Sequence, residues 1–331
     1  MMVRLTPNGY LKIAQADSFT VNYTGAEANV LVSLSRFGMD TQLVTMLPQN
    51  DIADAAIAKM RQYRVGVDRI VRGGNRMGLY YLERGASQRP SKIVYDRRYS
   101  ALSKAVRADF DWDCAFAGAD WLHFSGITAG ISEHMADVCE DACHAAHTRG
   151  MVVSCDLNYR KAIWSSERAT AVMTKLAPHV DVLVGNEEDA ERCLGISPEN
   201  TSVVDGKLDY SSYADLARTI TEGFGIKTVA FTLRSSISAS DNKWAAMLFQ
   251  DGVAHYSKEY LIHLVDRVGG GDSFSAGLIY ALSQKFPPQK TIEFAVAASC
   301  LKQTIEMDFN LSSVEDVLRL MDGDGSGRVQ R

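Results

Sequence analysis

The chain has 331 residues, 46% of them hydrophobic and 23% charged, and a formal net charge of −5. That composition belongs to a soluble globular protein with a sizeable core, built as one large α/β domain or two small ones. The acidic balance, the absence of a Lys/Arg cluster and the absence of any apolar run of about 18 residues speak against a nucleic-acid surface or a membrane span.

In chain order, residues 2–5, 10–14 and 18–23 are short, partly alternating segments separated by "TPNG" and "QAD", which predicts strands with tight turns. "GAEANVLVSLSRFG" follows with apolar residues at helical spacing (Ala26, Val30, Leu34, Phe37) and Gly38 as a stop. "TQLVTML" predicts a strand and "DIADAAIAKMRQYRV" a second helix. Residues 77–84 and 92–97 return to strands rich in Tyr, Ile and Val. From about residue 112 onward apolar strands alternate with amphipathic helices, the pattern of βαβ units on a mainly parallel sheet covered on both faces. The early strands stand outside that alternation. A single domain over 1–331 is therefore expected, with lid strands within 2–23 and 77–98, an α/β core at 24–72 and 105–320, and a flexible tail at 322–331. The six cysteines have no metal-type spacing and read as reduced core thiols, and "MMVRLTPNGYLKI" has no signal-type apolar stretch, so a cytoplasmic protein is expected.

Ligands of such sheets bind beyond the carboxyl ends of the strands. Four segments lie there: "FSGIT", "DLNYR", "GNEED" and "DRVGGGDSFSAG". The last is the most informative. Gly269, Gly270 and Gly271 run into Asp272 where a helix begins, so backbone N–H groups and the positive end of the helix dipole can face an anion. A carboxylate at the mouth of an anion hole suits removal of a proton from a hydroxyl that attacks a phosphoryl group. Taken alone, the pattern also fits a plain turn with Asp272 as an N-cap. The dinucleotide fingerprint fails because Phe274 stands where its third glycine belongs, and no Walker A loop occurs.

"DRVGGGDSFSAG" resembles the C-terminal signature of the ribokinase-like (PfkB) carbohydrate kinases, D-T-x-G-A-G-D, with Arg267 for Thr and Gly270 for Ala. "TGAEANVLVSLSRFG" resembles the family's N-terminal segment, with Thr24 for the first of two glycines. The resemblance spans about residues 2–320 and implies a three-layer α/β sandwich with a mainly parallel central sheet and a small β-sheet lid. It implies that Asp272 is the catalytic base and that the N–H groups of Gly269, Gly270 and Gly271 form the anion hole. ATP and Mg²⁺ are implied, with Asn186 and Asp189 of "GNEED" (N-x-x-E in the family) organising the metal through water. A monovalent cation such as K⁺ is implied near Asp266 and Val268. "TLRSSIS" would line the nucleotide through Thr232, Arg234 and Ser236, with adenine near Ala298 and Ser299.

Within the family, "GLYYLERG", "KIVYDRRYSA", "FSGIT" and "DLNYRKAIW" are similar to segments of the 2-keto-3-deoxygluconate kinases. This implies substrate contacts at Gly25, Tyr80, Tyr95, Arg97, Arg160 and Asp308. A sugar acid needs a cationic partner, and Arg97 and Arg160 could supply planar guanidiniums for its carboxylate. Blander roles stay open at this point: lid packing for Tyr80, a surface ion pair for Arg97, a structural cation for Arg160, a turn for Asp308. So do a kinase for a neutral sugar such as fructose or ribose, and a catalytically silent sugar-acid sensor. Lid strands with open edges often pair, so a homodimer through the lid is expected.

Overall fold

The computed structural model describes residues 1–197 and 210–323, so most of the glycine-rich tail lies outside the described residues. In chain order the strands are β1 (Met2–Pro7), β2 (Phe19–Thr24), β3 (Thr45–Leu47), β4 (Ile70–Arg72), β5 (Gly78–Glu83), β6 (Lys92–Asp96) and β7 (Trp121–Ser125). They continue with β8 (Val152–Asp156), β9 (Val182–Gly185), β10 (Thr228–Ser236), β11 (Asp241–Gln250), β12 (Val253–Tyr256) and β13 (Tyr260–His263).

The large sheet has the order β12-β11-β10-β9-β8-β7, with β13 also paired to β11. Strands β7 to β10 are mutually parallel, and β11 to β13 are added antiparallel. Its central strands are apolar on both sides because both faces are covered. Leu183 packs with Val153, Phe231 and Met247 in one core layer, while its neighbours Val182 and Val184 pack with Ala230, Leu248 and Phe274 in the other. The β11–β12 hairpin turns at Asp251 and Gly252, both left-handed at φ +51° and +78°, which matches the twist of the strands they join.

A separate four-stranded sheet has the order β2-β1-β5-β6. Strand β5 alternates buried Gly78, Tyr80 and Leu82 with half-buried residues, so one of its faces rests on the body. The outermost strand, β6, is exposed along its whole length.

One expected strand is absent. Residues 10–14 form a loop that ends in the short 3₁₀ turn Ile13–Gln15. Gly9 at φ +54° turns the chain, and side chains then satisfy the backbone: Ile13 N–H donates to the Glu83 carboxylate (3.1 Å) and Lys12 N–H to the Gln15 side chain (3.0 Å). With those donors occupied, no ladder partner is needed.

Candidate active site

The helix Gly270–Ser283 starts immediately after Gly269, whose φ of +85° puts it in the left-handed region. A side chain there is excluded twice, by the backbone angle and because a Cβ would lie 2.0 Å from the Asp308 carbonyl oxygen. The turn is clamped from below by the end of the helix Pro288–Gln303. Ser299 Oγ donates to Gly270 O (2.7 Å), and the Gln303 side chain lies where a Cβ on Gly270 would go. Gly271, by contrast, has open space on its exposed side. Gly270 N–H turns back to the Arg267 carbonyl (3.3 Å), so the first-turn N–H groups left for an anion are those of Gly271 and Asp272.

Asp272 is half-buried beside this opening. Its Oδ2 accepts from Asn29 Nδ2 at 2.6 Å, and Asn29 Oδ1 in turn accepts from Thr24 Oγ1 at 2.8 Å. Thr24, the residue that departs from the family glycine, therefore orients the amide that holds Asp272. Burial pushes the Asp272 pKa up to about 7; the Asn29 bond and Arg160 oppose the shift, and the carboxylates of Glu27 and Asp308 add to it. A carboxylate tuned this way holds and releases a proton near neutrality.

Beyond the end of β8, the "DLNYR" segment carries Asp156, Asn158 and Arg160. Asp156 is buried, and that burial, together with Asp189 and Asp272, raises its pKa well above the usual carboxylate range. Burial likewise raises Asp189 to about 6, with Tyr159 N–H, which it accepts at 2.8 Å, opposing. Asn158 donates to Asp156, and its Oδ1 is buried with no partner among the described residues. Three carboxylates plus an orphaned carbonyl oxygen form an electronegative pocket that suits a hydrated cation. No set of three or more His, Cys, Asp or Glu close enough to chelate a metal directly occurs among the described residues.

Arg97, just past β6, lies over the Tyr95 ring at 4.1 Å, and its Nη2 is buried without a partner among the described residues. Burial lowers its pKa, and nearby Arg160 lowers it further against the opposing effect of Tyr95. Arg160 is exposed, its guanidinium donates to the Tyr159 carbonyl (2.8 Å), and it is close enough to act on Asp272, Asp156 and Asp189. Thr232, Arg234 and Ser236, expected to line a nucleotide, alternate along β10 and so share a face. Arg234 is exposed and lies near Arg267, whose pKa burial lowers first and Arg234 lowers further.

A model of the "pfkB family carbohydrate kinase" matches residues 1–304. The chain belongs to that family. It is 27% identical over 328 residues to a 2-dehydro-3-deoxygalactonokinase of Haloferax volcanii, covering 98% of this chain and 96% of that protein. It is 25% identical over 288 residues to a 2-dehydro-3-deoxygluconokinase of Thermoproteus tenax, covering 86% and 80%. The crystal structure of a 2-dehydro-3-deoxygluconokinase from Thermotoga maritima superimposes with a TM-score of 0.93 at 50% identity, over 97% of this chain and 96% of that one. As a family carbohydrate kinase the protein is a phosphotransferase.

Several expected contacts take a different form. Asp308, expected to hold substrate hydroxyls, is fully buried, and both its oxygens are in use: Oδ1 accepts from Tyr80 Oη (2.8 Å), and Oδ2 from Arg4 (3.0 Å) and Asn22 (2.8 Å). Tyr80 thereby spends its hydroxyl inside the protein and meets the cleft only as a ring tilted against Tyr95, 6.0 Å between centroids. Ser299 and Ala298 are fully buried in their helix, so Ser299 braces the glycine turn and cannot touch a nucleotide. The Asn186 side chain caps the helix Glu187–Leu194 by accepting from Asp189 N–H (2.9 Å), which gives it a local structural task. Gly25 is the N-cap of the helix Ala26–Arg36, with extended backbone, and a Cβ would sit 3.2 Å from the Met1 backbone.

Asn29, Asp156, Arg267, Arg4 and Lys302 escaped the sequence reading. Asn29 alone had a visible signal: an amide on the apolar face of "AEANVLVSL" is out of place unless it has a partner.

Proposed function

We propose that the protein transfers the γ-phosphoryl group of ATP to the terminal hydroxyl of 2-keto-3-deoxygluconate or a close 2-keto-3-deoxy sugar acid. The observation that carries the substrate class is the convergence of Arg97 and Arg160 at the cleft, with Arg97 Nη2 desolvated and unpaired. An unpaired buried donor on a cation is costly unless a ligand completes it, and a carboxylate is the natural complement. The activities of the similar kinases support the same class.

Asp272 accepts the proton of the attacking hydroxyl, and Asn29 holds its carboxylate in line. The Gly271 and Asp272 N–H groups and the helix dipole take up charge on the transferring phosphoryl oxygens. Arg234 and Arg267 flank the polyphosphate, and Thr232 and Ser236 the remainder of the nucleotide. Mg²⁺, which would neutralise phosphate charge, fits beside Asp156, Asn158 and Asp189 with its water shell kept. Closure of the small sheet as a lid would exclude water. The exposed strand β6, with Ile93, Val94 and Tyr95 at the surface, supports pairing of two copies through that sheet. Size-exclusion chromatography with light scattering tests that pairing, and a concentration-independent monomer would remove it. A cytoplasmic location accords with the six unpaired cysteines.

The deciding experiment is ATP consumption with 2-keto-3-deoxygluconate, ribose, fructose and no sugar. Turnover with the keto acid alone supports the reading. Preference for a neutral sugar would leave the phosphotransfer and remove the Arg97/Arg160 argument, and binding of the acid without turnover would make the protein a sensor.

A further inference from the structure

Behind the glycine turn lies a cage of main-chain carbonyls, and it is filled from within the chain. Lys302, next to last in the helix Pro288–Gln303, is fully buried. Its Nζ donates to the carbonyl oxygens of Asp266 (3.0 Å), Ile305 (3.3 Å) and Met307 (2.6 Å). The 305–308 segment is bent to reach it, with Met307 left-handed at φ +66°. The lysine stem passes under the anion hole: a Cβ on Gly269 would lie 3.2 Å from Lys302 Cε.

This is the neighbourhood, Asp266 and Val268, where the family resemblance implies a monovalent cation, and the residues present do not fit one. Asp266 has no free oxygen: Oδ2 accepts from Arg4 at 2.5 Å, Oδ1 from Val268 N–H at 3.1 Å, and the main-chain oxygen from Lys302. Charge gives the same answer. Arg4 and Lys302 stand against Asp266 and Asp308, two buried cations against two buried anions, with Asp272, whose pKa burial raises to about 7, the next carboxylate in reach. A further cation would enter surroundings whose buried carboxylates are already paired, which protein interiors disfavour.

We propose that Lys302 is a built-in cation: its ammonium ties the Asp266 carbonyl to the 305–307 carbonyls, holds the glycine turn in its phosphate-binding shape, and makes the protein independent of K⁺. Lys302 touches no substrate, so it is a positioning residue. Burial lowers its pKa to about 8 against the pull of Asp266 and Asp308, which leaves the ammonium charged at neutral pH.

The test compares the full-length protein with Lys302→Ala and Lys302→Met in choline chloride and in KCl at equal ionic strength. The readouts are thermal melting, thallium(I) binding by NMR, and turnover. The wild type is expected to melt at one temperature in both salts, to bind no thallium(I), and to turn over at one rate. Lys302→Ala, with room for an ion, is expected to lose up to about 100-fold in kcat/KM in choline, the scale of an ångström-sized misplacement. KCl should restore much of that loss and raise the melting temperature, while Lys302→Met, whose side chain refills the space, should gain nothing from KCl. A potassium-specific rise in melting temperature or rate in the wild type overturns the proposal, as does thallium(I) binding there. So does a Lys302→Ala variant that stays fully active without K⁺. If that variant does not fold, the wild-type arms decide alone. Melting and ion binding need no sugar, so a mistaken substrate would show as missing turnover with the cation results unaffected.

Discussion

Two pairs of basic residues lie within reach of the same active site, and their surroundings give them opposite tasks. Arg4 and Lys302 are fully buried and engaged on every side by Asp266, Asp308, Thr6 and main-chain carbonyls. Arg97 lies near the exposed Arg160 and has a desolvated donor with no partner among the described residues. The first pair is complete without a ligand and holds the structure. The second has capacity left over, and its proposed task is to select the substrate. A cation's task is set by what remains of its hydrogen-bonding capacity, more than by its distance from the chemistry.

The comparison can be broken by removing its members in turn. The largest effect belongs to the group both pairs serve: Asp272→Asn should lower kcat by about 10²–10⁴-fold while ATP and sugar still bind, measured by steady-state rates and calorimetry. Arg4→Met should cost about 3–5 kcal/mol of stability in urea unfolding, because Asp266 and Asp308 stay buried without their cation. Arg160→Ala, and likewise Arg97→Ala, should leave the melting curve nearly unchanged and raise KM for the sugar acid about 10–100-fold, the loss of one or two charge-assisted hydrogen bonds. An equal stability loss in Arg97→Ala and Arg4→Met would erase the distinction.

Smaller effects sharpen it. With the Asp272 pKa at about 7 in the free protein, the base is protonated in acid and free in alkali, so kcat/KM should rise through about pH 7 to a plateau. Asn29→Leu removes a hydrogen bond that favours the carboxylate, so that limb should move upward by about one pH unit. Thr24→Val should move it the same way by less, since Thr24 acts only through Asn29.

Much of this was legible in the sequence for physical reasons. Strands such as "VDVLVGN" are apolar on every residue because both their faces are covered, and the glycine run announces itself because the Gly269 position excludes any side chain. Asp272, Arg97 and Arg160 stand out as candidates because they sit in motifs at strand or helix ends. The buried polar network could not. Arg4 and Asp308 are 304 residues apart, and a lysine near a helix C-terminus, as Lys302 is, reads as an ordinary solvated residue favourable to the dipole. Asp308 and Ser299 spend their hydrogen bonds inward, and nothing local in the sequence announces that. The 10–14 loop was mistaken for a strand because its backbone partners are the distant Glu83 and the side chain of Gln15.

Arg4 has a mechanical consequence as well. It belongs to β1, a strand of the small sheet, yet its guanidinium is fastened into the body by Asp266 and Asp308. Asn22 of β2 and Tyr80 of β5 meet the same Asp308, so three strands of the small sheet are fastened to the body and the exposed β6 lies outside that anchor, like a door whose hinge runs along most of its width. Strand β6 lies one strand beyond the anchored β5, a step of about 5 Å at the usual interstrand spacing. A rotation of the sheet about that anchor would be largest at Tyr95 and Arg97, the groups proposed to meet the substrate, and smallest beside the glycine turn.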